Sequence, residues 1–355
     1  MTVGTEAVEF LLPDELSATS PPEARGLARD EVRLMVCEDG AVTHARFREL
    51  PGFLHPGDLV VVNNSAMVTA AVPARYGREE AVLHFSTPLD DGRWVVELRD
   101  PGGTPWRGAD LEPGAHVRLA DGHSAVLRAP WLPDAERLWT ADIDTDVPRL
   151  LAERGRPITY SYVRERWSAS YYQTVFGREP GSAEMPSAGR PFTDALVTEL
   201  VASGVGLASI TLHTGVSSPE SGEPPSPERF AVPELTARLA NLTRDAGGRV
   251  VAVGTTVTRA LESAVGADDL VHPVSGWTDL VLGGDRPTRV VDGLITGWHA
   301  PGASHLHLLE AVAGADVVRQ AYRAALDGGY LWHEFGDTAL LLRSRPGANT
   351  GRAVA

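Results

Sequence analysis

Residues 249–265 read Arg-Val-Val-Ala-Val-Gly-Thr-Thr-Val-Thr-Arg-Ala-Leu-Glu-Ser-Ala-Val, and this stretch decides the fold. Residues 249–253 are apolar and rich in β-branched side chains, as a buried strand requires. Gly254-Thr255-Thr256 is a small-residue turn, and residues 257–265 continue as a helix. A strand that feeds a helix through such a turn is the repeating unit of α/β proteins. The same alternation surrounds it. Thr193 can cap a helix with apolar positions Leu196, Val197, Leu200 and Val201, stopped by Gly204. A buried strand at 205–212 follows. Further on come a strand at 289–295, helices at 304–312 and 317–326, and a strand at 338–342.

Residues 56–144 read differently. Short apolar runs at 58–62, 67–72, 81–85, 94–98, 116–119 and 124–127 are separated by turn signals, with Asp91-Gly92 and Asp121-Gly122 placed as hairpin turns. The expected fold is therefore α/β, a mostly parallel sheet with helices on both faces, plus an inserted all-β barrel. Residues 1–55 and 156–345 would form the discontinuous α/β domain, residues 56–155 the barrel, and 346–355 a flexible tail. Residues 217–227, dense in Pro and Ser, read as an exposed loop.

Composition narrows the function. The 355 residues are 43% hydrophobic and 22% charged, which excludes a disordered chain. A formal net charge of -15 opposes phosphate backbones on average, so nucleic-acid contact would need a local basic patch. The single cysteine, Cys37, excludes a disulfide framework and a Cys-based zinc ribbon. No secretory signal or membrane-length apolar run is visible, and a cytoplasmic location without membrane partners is expected. Oligomeric state is left open.

Ligands of open α/β sheets bind at the carboxyl ends of the strands, which directs attention to the turns there. Thr255 and Thr256 open a helix whose free N–H groups and dipole suit an anion. Arg259 and Glu262 follow on one helix face. A capped helix with a surface Arg–Glu pair explains the same letters. His299, in Gly297-Trp298-His299-Ala300-Pro301-Gly302, is a candidate for proton transfer. His305 and His307, two apart on a helix, point in nearly opposite directions. A metal cluster with His299 and Glu310 is therefore awkward, and no metal is expected. The small residues of 180–192 allow close approach of a ligand to backbone. His213 ends a strand, and Trp277 beside Asp279 offers an aromatic platform with a carboxylate.

Together these residues resemble the S-adenosylmethionine:tRNA ribosyltransferase-isomerase family of queuosine synthesis. The resemblance rests on Tyr172-Gln173-Thr174-Val175, Pro180-Gly181, Pro186-Ser187-Ala188-Gly189, Thr211-Leu212-His213, Val253-Gly254-Thr255-Thr256 with Arg259 and Glu262, and Gly276-Trp277-Thr278-Asp279. Residues 291–296, His299 with Pro301, Phe335-Gly336-Asp337 and Asn63-Asn64-Ser65 extend it over nearly the whole chain in one order. It implies an α/β domain with an inserted barrel. It also implies transfer and isomerisation of the ribosyl part of S-adenosylmethionine, a cosubstrate, onto the aminomethyl group of a 7-deazaguanine base in tRNA, with loss of adenine and methionine.

On that resemblance, His299, Asp279 and His213 are the expected catalytic residues. Thr255, Thr256, Arg259, Glu262, Trp277, Ser187 and Gly189 would bind the cosubstrate. Asn63, Asn64, Tyr172, Gln173 and Glu228 would bind the acceptor. The sequence departs from the family where Pro-Thr-Ala-Gly-Leu-His-Phe is Pro186-Ser187-Ala188-Gly189-Arg190-Pro191-Phe192, and where Asn-Asn-Thr-Arg is Asn63-Asn64-Ser65-Ala66. The alternatives are a diverged relative that uses S-adenosylmethionine with a small-molecule acceptor or cleaves it, and a non-catalytic binding protein on the same scaffold.

Overall fold

The computed structural model describes residues 10–107, 110–132, 137–216, 226–283 and 285–343. The stretch 217–225 of the Pro/Ser loop and the expected tail lie outside the described residues. The chain opens with an antiparallel pair, β1 (Arg33–Glu38) and β2 (Ala41–Arg46), before β3 (Leu59–Asn63) and the short β4 (Ser65–Met67). Six strands then follow: β5 (Ala71–Tyr76), β6 (Glu79–Pro88), β7 (Trp94–Arg99), β8 (His116–Arg118), β9 (Ser124–Pro130) and β10 (Leu138–Ile143). They close on one another as an antiparallel barrel. Helix α1 (Val147–Arg154) buries Val147, Leu150 and Leu151 against the barrel's interior cluster of Leu83, Val96, Leu127 and Trp139.

The rest of the chain is the α/β part. In order come β11 (Glu179–Ser182), α2 (Asp194–Ala202), β12 (Gly206–Leu212), β13 (Glu228–Val232), α3 (Glu234–Asp245), β14 (Val250–Val253) and α4 (Thr255–Ser263). Then follow β15 (Val274–Thr278), β16 (Gly293–Gly297), α5 (His305–Ala313), α6 (Ala315–Asp327) and β17 (Thr338–Leu342). Among the described residues the large sheet has nine strands, ordered β15-β13-β12-β3-β14-β16-β17-β1-β2. Its centre, β12-β3-β14-β16, is parallel, and antiparallel pairs flank it. Helices α3 to α6 cover one face and α2 the other.

Strand β3 corrects the sequence reading, which gave 58–62 to the barrel. It lies at the centre of the large sheet, with Leu59 and Val61 in the core under α3 to α6 and Val60 and Val62 in the core under α2. A strand covered on both faces loses the alternation that would identify it, so its four apolar residues carry no signal of which sheet they join. The barrel's sixth strand is instead β10, which the sequence reading omitted. The strand expected at 289–295 begins only at Gly293. Glu262 accepts hydrogen bonds from the N–H groups of Arg289, Val290 and Val291, which removes those donors from a sheet ladder.

Two polar fixtures set the geometry around β3. At its entry Arg249 and Asp58 form a buried pair with hydrogen bonds at 2.6 and 2.9 Å. At its exit the buried Asn63 side chain accepts from the N–H groups of Ser65 and Leu212 at 3.0 Å and donates to the Leu212 carbonyl at 2.8 Å. That amide does for β3 and β12 what a further ladder step would do, while the chain turns away toward the barrel. The barrel's outer residues Val82, Val95 and Leu138 then pack with Ile158, Ala183 and Val216. Within the barrel wall the fully buried Glu97 is held by Arg99 at 2.7 Å and Arg137 at 2.8 Å, with His84 Nδ1 at 3.3 Å. Burial alone would raise the Glu97 carboxyl; the His84 and Arg99 hydrogen bonds and the Arg137 charge overcome it and hold it at about 2.

Two stability predictions follow from these contacts. Asn63→Ala strands the buried N–H and C=O of Leu212, at a cost of about 2–4 kcal/mol, and should lower the melting temperature. A melting temperature equal to wild type would refute the clamp. Glu97 is depressed in the folded state, so its contribution is present above its ordinary value of 4.5 and fades as pH falls toward about 2. Glu97→Gln should therefore melt lower at pH 7 and lack that part of the acid slope in calorimetry. Parallel pH curves for the two proteins would count against it.

Candidate active site

The carboxyl ends of β12, β14 and β16 open into one cavity of about 350 Å³. Its walls come from both parts of the molecule: Ile158, Tyr160 and Tyr162 after the barrel, 184–188, 214–216, the start of α4, 296–305, and His333-Glu334.

Gly254 makes the floor possible. Its φ of +92° is open to glycine, and an added Cβ would stand 3.4 Å from the Ala188 Cβ. Thr255 and Thr256 begin α4 at the cavity wall, so the N–H end of the helix faces the space where an anionic group would lie. Arg259, one turn on, is buried and already engaged. It donates to the Glu228 carboxylate and to the carbonyls of Leu280 at 3.0 Å, Thr278 at 3.2 Å and Ser226 at 3.4 Å. Glu228 also accepts from the Gly215 N–H at 3.1 Å. Burial raises the Glu228 carboxyl despite the Arg259 charge beside it.

His299 also lines the cavity, positioned by its backbone. Its N–H donates to the Tyr322 hydroxyl at 3.2 Å, and its carbonyl accepts from Trp332 Nε1 at 3.1 Å. Its ring stacks on His305 at 4.5 Å with 2° between planes, and Nε2 lies 3.2 Å from Thr296 Oγ1. Burial, reinforced by His305 and His333, holds His299 well below the usual imidazole range. His305 and His333 are both lowered by burial to about 4. All three rings are therefore neutral near pH 7.

The opposite wall carries groups that the sequence reading missed. Tyr160 and Tyr162 stack at 5.8 Å and 20°, and each hydroxyl donates to a carboxylate, Tyr160 to Glu184 and Tyr162 to Glu334 at 2.5 Å. His333 stacks on the outer face of Tyr162 at 4.0 Å. Burial pushes Glu334 up to about 7 against the lowering effect of the Tyr162 hydroxyl, and the Glu184 charge adds to the rise. The only local signals for this wall were the Tyr160-Ser161-Tyr162 alternation and the His333-Glu334 pair before Phe335-Gly336-Asp337.

The cavity thus gathers Thr255, Thr256, Arg259, Ser187, Tyr172, Glu228 and His299 from the expected site. The buried Tyr172 hydroxyl has no hydrogen-bond partner among the described residues. Several others serve the scaffold instead. Gln173 clamps the Met67 backbone through Nε2 and Oε1, Asn64 accepts from Thr211 Oγ1 at 2.7 Å, and Gly189 closes a buried 3₁₀ turn with Ser187. Asn63 and Glu262 hold backbone as described above. His213 sits behind the wall with Nδ1 2.8 Å from Ser65 Oγ; a Cβ on Gly181 would come within 2.5 Å of its ring. Trp277 lies on the edge strand β15 under the Arg229 guanidinium, and Asp279 is exposed; neither lines the cavity. Among the described residues no group of three or more His, Cys, Asp or Glu is placed to hold a metal ion. His307 faces outward, 3.6 Å from Glu310. Likewise, among the described residues no helix is long and apolar enough to cross a membrane.

Comparison with known proteins agrees with this architecture. The family model described as queuosine biosynthesis protein matches residues 5–341. A Heliobacterium modesticaldum protein named S-adenosylmethionine:tRNA ribosyltransferase-isomerase is 35% identical over 349 residues, covering 94% of this chain and 98% of its own. A Moorella thermoacetica protein of the same name is 35% identical over 353 residues, covering 95% and 99%. The crystal structure of S-adenosylmethionine tRNA ribosyltransferase from Thermotoga maritima superposes with a TM-score of 0.54 at 30% identity, over 94% of this chain and 99% of that one. A chain matched by that family model over residues 5–341 belongs to the queuosine biosynthesis protein family.

Proposed function

We propose that the protein is an S-adenosylmethionine-dependent ribosyltransferase-isomerase. It would move the ribosyl group of S-adenosylmethionine onto the aminomethyl group of 7-aminomethyl-7-deazaguanine in tRNA, releasing adenine and methionine. One observation carries this reading: a chain related over nearly its whole length to proteins of that name holds, at its strand ends, a cavity of about 350 Å³ lined by carboxylates and neutral imidazoles. Such a lining suits a sulfonium cation. Thr255 and Thr256, at the positive end of α4, are the partners we assign to the methionyl carboxylate. Arg259 holds Glu228 beside it. The sulfonium acidifies the adjacent 5′ C–H, so a modest base suffices to remove that proton, and protonation of adenine assists its departure. With a pKa well below 6.5, His299 contributes as a neutral imidazole rather than as a stored proton.

A second reading, the same transfer to a free small-molecule amine, is favoured by the acidic wall of Glu184, Glu228 and Glu334. Of Arg190-Pro191, where the family pattern has Leu-His, Arg190 is bonded to Glu23 and the Tyr171 carbonyl.

Incubation of the purified protein with S-adenosylmethionine, alone, with tRNA bearing the aminomethyl base, or with the free base, separates the readings by mass spectrometry. Adenine and methionine release with tRNA, matched by a mass gain on the nucleoside, is expected. Release with the free base alone would establish the second reading, and release in no arm would overturn both. Arg259→Ala leaves Glu228 buried without its cation and should weaken S-adenosylmethionine binding about tenfold or more by calorimetry. Unchanged affinity would remove Arg259 from the site.

A further inference from the structure

We propose that Arg156, Arg164 and Arg166 form a phosphate-binding rim beside the cavity, where the backbone of the tRNA strand carrying the target base docks. The proposal rests on the reading above that the acceptor base lies in tRNA.

The stretch 156–179 inverts the charge balance of the chain. It holds Arg156, Arg164, Arg166 and Arg178 against Glu165 and Glu179, in a protein with 32 basic and 47 acidic side chains. On the barrel and α1 the exposed Arg128, Arg149 and Arg154 each meet a carboxylate, of Asp142, Glu153 and Asp121. Among the described residues the side chains of Arg156, Arg164, Arg166 and Arg178 have no hydrogen-bond or ion-pair partner. Arg164 and Arg166 are exposed and Arg156 is half-buried. Burial lowers Arg156, and the charge of Arg166 lowers it further, so the two guanidinium groups lie within each other's field. Like charges held near one another repel, and an anion between them relieves that cost.

The stretch is pinned beside the cavity. Arg156 exchanges both backbone hydrogen bonds with Ala71 at the start of β5, at 2.9 and 3.0 Å. Ile158, Tyr160 and Tyr162 then form cavity wall, and Tyr172 returns to it. Between them Val163, Trp167 and Tyr171 pack into an apolar cluster with Met67 and Phe335. That packing holds the chain carrying Arg164 and Arg166 at the surface next to the wall. A cavity of about 350 Å³ takes a base and not a helix, so the acceptor nucleotide must leave its stack while its flanking phosphates stay outside. Guanidinium groups beside the wall suit those phosphates, because their fork matches phosphate oxygens and their charge persists at any physiological pH. Each such contact releases a condensed counterion, which is the main favourable term in holding a polyanion. A local rim of this kind lets a chain of net charge -15 engage tRNA.

The test measures binding of tRNA bearing 7-aminomethyl-7-deazaguanine to the full-length protein by fluorescence anisotropy, at salt from about 50 to 200 mM KCl. Wild type is compared with Arg164→Ala, with Arg166→Ala, and with a triple variant that also carries Arg156→Ala. The triple variant should bind about tenfold or more weakly, and the slope of log affinity against log salt should shrink by about 2–3; each single variant should lose about 1. Lysine at the same three positions keeps the charge and should recover most of the slope. Arg323→Ala removes one equally exposed charge on α6 and should leave the slope as in wild type. S-adenosylmethionine affinity, read by calorimetry, should stay within about twofold in every variant, which reports an intact cavity. A triple variant with wild-type slope and affinity within about twofold of wild type would overturn the proposal, as would an equal loss of slope in Arg323→Ala. If the triple variant fails to fold, the two exposed single variants decide by the same slopes. Wild type that releases adenine with tRNA, beside a triple variant that binds tRNA equally well, would overturn this proposal alone. Wild type that neither binds tRNA nor turns over with it would overturn the tRNA reading and this proposal with it.

Discussion

The Asn63 side chain is the point on which the two parts of the molecule depend. A parallel strand must end somewhere, and where β3 ends the chain has to leave a nine-stranded sheet and begin a barrel. That departure would orphan the backbone of β12 beside it, and a buried orphan pair costs several kcal/mol. Asn63 is the residue type that can prevent this, since its amide offers a donor and an acceptor to the N–H and C=O of Leu212 at once. The same oxygen receives the Ser65 N–H and turns the chain out. The strands therefore stop together while the barrel swings over their carboxyl ends. The cavity is the space left between them. At the other end of β3, Asp58 and Arg249 fix where the strand begins, so its length and the depth of the cavity are both set by polar side chains.

The buried carboxylates divide by what holds them. Glu97 meets two guanidinium groups, and Asp58 meets Arg249; both are held low, although burial pulls each of them up. Every one of the 32 basic side chains is arginine, whose fork satisfies a carboxylate bidentately and stays charged when buried. Glu262 is held by three backbone N–H groups. All three carboxylates serve the scaffold. Glu334 is different: it accepts from the neutral Tyr162 hydroxyl, and burial pushes it up to about 7, where both protonation states are accessible. Where Asp58 and Glu97 are paired with arginine, Glu334 at the cavity wall is held by a phenol.

Much of the architecture was legible, and the reasons are local. The Gly254-Thr255-Thr256 turn needs a glycine at φ +92° and a helix start, and both are written in adjacent letters. Asp91-Gly92 and Asp121-Gly122 mark barrel hairpins for the same reason. What failed to show was long-range. Leu59–Asn63 is an apolar run whose sheet is chosen by partners about 150 residues away, Leu207 to Ile210 among them. Trp277 and Asp279 read as a platform, yet β15 is an edge strand, and the alternation of a strand turns them off the cavity. Asn64, Gln173 and Glu262 look like ligand-binding letters because polar residues inside an apolar sequence suggest function; here Gln173 and Glu262 replace missing backbone partners, and Asn64 accepts from the Thr211 hydroxyl. Tyr160, Glu184 and Glu334 sit in three separate segments, and no pattern within any one of them reveals that they meet.

Charge bookkeeping inside the cavity shows why these groups belong together. The proposed reaction brings two cations, a sulfonium and an ammonium, and one methionyl carboxylate into a single buried space. The N-terminus of α4 answers the carboxylate. Glu228 is balanced by Arg259, and three histidines held below their usual range add no charge. As the C–S bond breaks, its electron pair cancels the sulfonium on the departing methionine. That cleavage lowers the number of charges buried in the site, so the energy gained by neutralising them in a low dielectric favours product.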